Sequence, residues 1–148
     1  MTPHQARALF QAARVARLAT ADGAGRPHVV PIVFAVDEDV IYTAVDHKPK
    51  RSRALRRLAN VAENPAVAVL VDQYDDQDWD RLWWARADGT GRVVSTGSDE
   101  EQRAIERLRD RYAAYLERPP AGPVLAVDVR RWSGWFATSA SAGPRASD

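Results

Sequence analysis

Between Arg14 and Asp46 three stretches of strand-forming residues follow one another with only short turns between them, a pattern that folds as an antiparallel meander. Arg14–Ala21 is the first. Asp22-Gly23-Ala24-Gly25-Arg26-Pro27 is dense in turn residues and predicts a hairpin. His28–Val36 is nearly all apolar and β-branched, as expected of a strand covered on both faces. Asp37-Glu38-Asp39 then turns the chain into the third, Val40–Asp46.

The rest of the chain inserts helices among further strands. Thr2 is placed as N-cap, Pro3 as first helical residue and Gln5 as the far corner of a capping box, so a helix should run to about Ala13. Ser52 can cap a second helix with Leu55, Leu58, Ala59 and Ala62 on one face and Arg53, Arg56, Arg57 and Asn60 on the other. Asn64-Pro65 ends it. Ala66–Asp72 alternates as a strand, and Arg81–Thr96 reads as a long strand bent or bulged at Asp88-Gly89-Thr90-Gly91. Asp99–Leu116 is a helix with Ile105, Leu108, Tyr112 and Tyr115 as its buried stripe, and Pro119-Pro120 breaks it. Val124–Arg131 closes the sheet, with Trp132–Thr138 extended beyond it. About six antiparallel strands and two or three helices, without β-α-β alternation, give a mainly β (α+β) chain built as a closed or half-closed barrel. A single domain over residues 1–138 is expected, with 139–148, small and polar, as a fraying tail.

Composition removes whole classes of chemistry. The 148 residues include no cysteine, which excludes disulfides, thiolate metal sites and cysteine nucleophiles and agrees with a reducing compartment. No apolar run approaches the roughly 18 residues that span a bilayer, and Met1–Gln5 lacks a signal-peptide layout. The expected location is the cytoplasm. A net charge of +1 argues against bulk attraction to nucleic acid. His4, His28 and His47 have no metal-ligand spacing, so no metal is expected. Neither a phosphate-cradling glycine loop nor a Gly-x-Ser-x-Gly elbow occurs. If the chain is an enzyme, a cofactor performs the hard step.

Three features point to a ligand. Lys48, Lys50, Arg51, Arg53, Arg56 and Arg57 crowd one strand–loop–helix segment without an acid, while Asp72, Asp75, Asp76, Asp78 and Asp80 crowd another. Cations at a helix mouth make a phosphate or carboxylate site, because unpaired N–H groups and the helix dipole already favour an anion there. A solvated basic loop is the alternative. Pro31 removes a ladder donor from Val29–Phe34, so that strand must be open at an edge, a bulge or a ligand; an edge is the commoner cause. Tryptophans fall in two clusters, Trp79, Trp83 and Trp84, then Trp132 and Trp135. Trp83 and Trp84 must point to opposite faces of their strand, one to the core and one outward.

Together these stretches resemble the pyridoxamine 5′-phosphate oxidase-like split β-barrel flavoproteins, and within them the deazaflavin-dependent oxidoreductases that use coenzyme F420. The resemblance runs from about Ala6 to Ala137. It rests on Arg14-Val15-Ala16-Arg17-Leu18-Ala19-Thr20, on Gly25-Arg26-Pro27-His28 with Pro31, and on Lys48-Pro49-Lys50-Arg51 leading into Leu55-Arg56-Arg57-Leu58. Asn64-Pro65, Leu82–Gly89 and Arg131-Trp132-Ser133-Gly134-Trp135 complete the ordered set.

The resemblance implies an FMN-binding-type split barrel and a homodimer with two cofactor sites, each at the subunit interface. It places the cofactor's phosphate on Lys48, Lys50, Arg51 and Arg53 beside Ser52. Val30, Pro31 and Ile32, with Tyr42 and Thr43, would line the ring, and Trp84 or Trp135 would come from the partner subunit. Coenzyme F420 is the expected cofactor, since the chain ends soon after Trp135, where the FMN-using oxidases carry a longer C-terminal part. FMN is the alternative. The implied activity is hydride transfer to an electron-poor double bond of a small organic substrate. A module that carries a flavin or haem-like ligand without turnover, or a nucleic-acid-binding barrel using the arginine face of the second helix, are the competing functions.

Overall fold

The computed structural model describes residues 1–45 and 51–138, and for 51–55 the backbone alone. Lys48, Lys50 and the tail 139–148 lie outside the described residues. Helix α1 (Pro3–Ala12) opens the chain. It starts as its sequence predicts: the Gln5 amide donates to Thr2 Oγ1 at 3.2 Å and the Thr2 amide donates to Gln5 Oε1 at 2.8 Å. Then come β1 (Ala16–Ala21), β2 (Pro27–Ile32), β3 (Ala35–Asp37), β4 (Val40–Ala44), α2 (Arg51–Glu63) and β5 (Ala66–Gln73). A single 3-10 turn at Trp79–Arg81 leads into β6 (Trp83–Val93), α3 (Asp99–Arg111), α4 (Ala114–Glu117) and β7 (Val124–Phe136).

The strands form one seven-stranded sheet in the order β2-β1-β5-β6-β7-β4-β3. Every pairing is antiparallel. Its two outermost strands, β2 and β3, are separated along the chain only by Val33 and Phe34. The sheet must therefore curl until its edges approach each other, which makes a half-closed barrel. Pro27 and Pro31 on β2, and the brevity of β3, keep these two edges from adding further strands.

This corner is where the expectation of a single strand over His28–Val36 fails. The break gives seven strands instead of six. Its backbone groups are met by side chains: Thr43 Oγ1 donates to the Val33 carbonyl at 2.8 Å, and the Phe34 amide donates to the Tyr112 hydroxyl at 3.1 Å. The same hydroxyl lies 3.0 Å from the carbonyls of both Phe34 and Arg14. Nor is β2 covered on both faces, since Pro27, Val29 and Pro31 are exposed. Tyr112 also explains why the helix expected over Asp99–Leu116 splits. Drawn toward Phe34, it leaves helical geometry at φ −123°, and α4 begins beyond it.

The barrel interior is filled by Leu18, Ile32, Ile41, Val69, Val71, Ala85, Leu125 and Val127. Phe10 of α1 plugs it, meeting Phe34 and Trp132 edge-on at centroid distances of 5.9 and 5.2 Å. Helix α2 crosses the end where β1 finishes and β5 begins. There Val61 is buried beside Gly91, and Asn60 Nδ2 donates to Thr20 Oγ1 at 3.0 Å. Of the stripe expected for this helix, Leu58 packs against the core, but Ala59 and Ala62 are exposed, and Asn60 and Val61 face inward instead. A hydroxyl partner for Asn60 inside the barrel end outweighs its polarity. Helix α3 lies outside the barrel and packs Ala104 and Leu108 on Tyr42, Val124 and Ala126.

The bulge expected near Asp88–Gly91 is present as a register shift between Asp88 and Gly89 against β7. Arg130 is the extra residue, because Asp88 pairs with Arg131 and Gly89 with Val129. A Cβ on Gly89 would stand 2.2 Å from the Asp128 carbonyl oxygen, so only glycine fits there. Among the described residues, no helix is long and apolar enough to cross a membrane.

Candidate functional site

The described part of the basic segment opens α2, with Arg51, Ser52 and Arg53 in a first helical turn that contains no acidic residue. Ser52 was expected to cap this helix. It lies instead within helical backbone, which is already present at Arg51, the first described residue of the helix. The far end of α2 is fixed to the first hairpin, where Glu63 Oε2 accepts the Gly23 amide at 2.8 Å. That hairpin is organised by Asp22, which accepts the Ala24 and Arg26 amides, each at 2.9 Å. These bonds, the Arg26 amide first, lower the Asp22 carboxyl below its ordinary pKa.

The residues expected to line a ring divide between the two faces of the sheet. Pro31 points outward on the edge strand β2, opposite Arg17 of β1. Val30 and Ile32 point inward and pack in the core. Pro31 therefore sits at an open edge, the commoner of the causes its sequence allowed. Registers extend the outward row from Arg17 to Leu70, Arg86 and Ser133, and the next row holds Asp72, Trp84 and Trp135. Arg86 stands 5.8 Å over the Trp84 ring and pairs with Asp88 at 2.9 Å. Trp83 turns inward as alternation requires, its Nε1 donating to Gln73 Oε1 at 3.3 Å. Trp132 is core, donating to Asp39 at 2.9 Å, whereas Trp135 is 47% exposed.

Tyr42 and Thr43 do not share that outward region with Pro31, Trp84 and Trp135. Thr43 is buried and committed to the Val33 carbonyl. Tyr42 lies beneath α3 and donates to Glu100 Oε2 at 2.8 Å. Burial, then this bond, pushes the Tyr42 hydroxyl up to about 12, so it stays a proton donor. Glu100 in turn receives both terminal nitrogens of Arg92, at 2.6 and 2.8 Å, and Arg92 also reaches Asp128 at 2.7 Å. The Arg92 hydrogen bonds hold Glu100 at about 2 and raise Arg92 itself. No local motif marks this cluster, because its members come from β4, β6, α3 and β7.

Sequence reasoning also passed over Ser133. Its Oγ is buried on the Trp135 side of β7 and has no hydrogen-bond partner among the described residues. Alternation inward from Trp132 would have placed it on the outward face, but not its burial. Among the described residues, no group of three or more histidine, aspartate or glutamate side chains could hold a metal. An open cleft of about 330 Å³ beside the start of α3, lined by Ser98, Glu101, Ile105 and Arg109, contains none of the candidate residues.

The sequence model of the family described as pyridoxamine 5′-phosphate oxidase matches residues 2–136. The chain belongs to that family. Across 86 residues it is 31% identical to the 5a,11a-dehydrotetracycline/5a,11a-dehydrooxytetracycline reductase of Streptomyces rimosus subsp. rimosus, covering 58% of this chain and 59% of the relative. The match thus spans less than two thirds of that reductase. Solved structures share this fold over 90% or more of the chain. The conserved hypothetical protein Rv2991 of Mycobacterium tuberculosis has a TM-score of 0.71 at 20% identity, covering 100% of this chain and 92% of its own. A FAD-binding protein of Mesorhizobium loti has 0.68 at 19%, covering 90% and 92%. The heme storage protein HutZ of Vibrio cholerae has 0.68 at 17%, covering 92% and 95%. At these identities the likeness is one of fold, and it confirms the split barrel expected from the sequence.

Proposed function

We propose that this member of the pyridoxamine 5′-phosphate oxidase family binds a flavin-type cofactor, coenzyme F420 with FMN as the alternative, and acts as an oxidoreductase. The observation that carries the reading is a family match over residues 2–136 that includes an acid-free basic helix mouth at Arg51–Arg53. The Streptomyces relative is named for a reduction, and the Mesorhizobium protein of the same fold for FAD binding. When bound, the deazaflavin supplies a hydride for an electron-poor double bond of a small organic substrate.

The chain's own residues bind, orient and exclude water. Lys48, Lys50, Arg51 and Arg53 hold the anionic arm through charge-assisted contacts at the start of α2. Pro31, Trp84 and Trp135 offer apolar surface to a planar ring, and the unpartnered Ser133 Oγ beside them is a hydrogen-bond donor such a ring would satisfy. A homodimer, with Trp84 or Trp135 supplied across the interface, completes the arrangement and dries the site. No side chain of the chain is assigned the proton that accompanies the hydride over bound water; Tyr42 lies beneath α3 with its hydroxyl committed to Glu100.

Tryptophan quenching during titration with F420 and, separately, FMN tests the cofactor. Saturation at micromolar F420 supports the reading; saturation by FMN alone moves the chain to the FMN-using branch. A second reading, a carrier without turnover, is favoured by the fold shared with the heme storage protein HutZ. Tight cofactor binding with no oxidation of reduced F420 by any electron-poor acceptor would select it.

A further inference from the structure

Helix α2 carries the proposed anion-binding mouth at one end, and its rotation about its own axis decides where the cations of that mouth stand. Burial of apolar surface alone does not explain the rotation observed. The helix offers Ala59 and Ala62 beside Leu58 as an apolar stripe, yet both alanines are exposed and Asn60 is turned into the barrel end at 3% exposure. There its Nδ2 donates at 3.0 Å to Oγ1 of Thr20, itself 4% exposed on β1, a strand paired on both sides. An amide and a hydroxyl that satisfy each other in a dry site contribute little net stability over an apolar pair of the same shape, but they accept only one geometry.

We propose that Asn60 and Thr20 are positioning residues for the cofactor's anionic arm: their bond fixes the azimuth of α2 and so aims its basic first turn. This deepens the proposed function and rests on it. Among the described residues, Leu58 and Val61 also seat the helix, Val61 against Gly91, and Glu63 accepts the Gly23 amide at 2.8 Å. Apolar contacts permit a slight turn about the axis, and Glu63 reaches the hairpin on a long side chain from the exposed last residue of the helix. The Asn60 bond is buried and directional. Its effect reaches the mouth because a helix turns as one body. Position 53 stands about two turns before Asn60 and so shares its side of α2. A turn of about 20° would carry the surface of the helix, roughly 5–6 Å from its axis, through about 2 Å. A charge-assisted hydrogen bond does not survive such a displacement.

Titration of F420 into a double variant, Thr20→Val with Asn60→Leu, tests this by exchanging the polar pair for an apolar one of similar volume. The variant should stay folded by circular dichroism and bind F420 at least about tenfold more weakly than the wild type. That ratio should shrink between about 0.05 and 0.5 M salt, because the lost contact is between charges. Thr20→Ser, which keeps the hydroxyl, should bind as the wild type does. Unchanged affinity in the double variant, a loss indifferent to salt, or an equal loss in T20S would each overturn the proposal. Should the double variant fail to fold, Thr20→Val alone, which keeps the shape and removes the acceptor, takes its place with the same expected loss. If that too fails to fold, the bond is a requirement of the fold and the proposal falls. A wild type that binds neither F420 nor FMN sinks the proposed function and the positioning role with it, whereas a binding wild type with an indifferent double variant sinks the positioning role alone.

Discussion

Replacing Glu100 by glutamine keeps the size of the side chain and removes the charge that clamps α3 to the sheet. Its carboxyl is held at about 2 against an ordinary 4.5, chiefly by the Arg92 hydrogen bonds, which corresponds to a ceiling of roughly 3 kcal/mol. Two facts lower that figure. Arg92 is 39% exposed, so solvent screens the pair, and it keeps Asp128 at 2.7 Å when Glu100 is neutralised. A loss of about 1–2 kcal/mol remains, or about 3–6 °C in melting temperature for a chain of this length. The sign with pH follows from the direction of the shift. A carboxyl depressed in the folded state stabilises the fold fully above about pH 4.5 and loses that contribution as pH falls through about 2. Thermal unfolding of wild type and E100Q by circular dichroism should therefore show a gap at pH 7 that narrows between pH 5 and pH 2. A gap that stays constant down to pH 2.5, or is absent at pH 7, would refute the clamp.

Two further substitutions probe the corner and the bulge. Tyr112→Phe leaves the Phe34 amide without its acceptor and should cost about 1–3 kcal/mol, read as a lower urea midpoint at unchanged slope; an unmoved midpoint would mean the corner is held by other means. Gly89→Ala drives a Cβ into the Asp128 carbonyl, where only backbone can yield, and should cost about 3 kcal/mol, the upper end of overpacking. A wild-type melting temperature for G89A would show that the bulge relaxes freely.

Local signals are legible in the sequence because each is contained in a few residues. The Thr2–Gln5 capping box, the turn at Asp22–Pro27 and the alternation of Ala66–Asp72 need no distant partner. The bulge at Gly89 was visible for the same reason, although its extra residue, Arg130, lies on the other strand. What escaped depends on contacts across the chain. The break at Val33–Phe34 exists because Tyr112, 78 positions away, accepts the Phe34 amide. Asn60 faces inward because Thr20 is there to meet it. The candidate site was legible as a list of residue types but not as a face: Pro31, Trp84 and Trp135 share one side of the sheet, whereas Val30, Ile32 and Thr43 point inward and Tyr42 sits under α3. The decision between those sides needs the strand register.

The central claim is that cations at the mouth of α2 hold the anionic arm of a deazaflavin. Calorimetric titration of F420 into wild type and into K48A/R51A measures it directly. The account predicts saturable micromolar binding to the wild type and a loss of about one to two orders of magnitude in the double variant, two charge-assisted contacts, with the melting temperature unchanged. Equal affinity in the two proteins would contradict it.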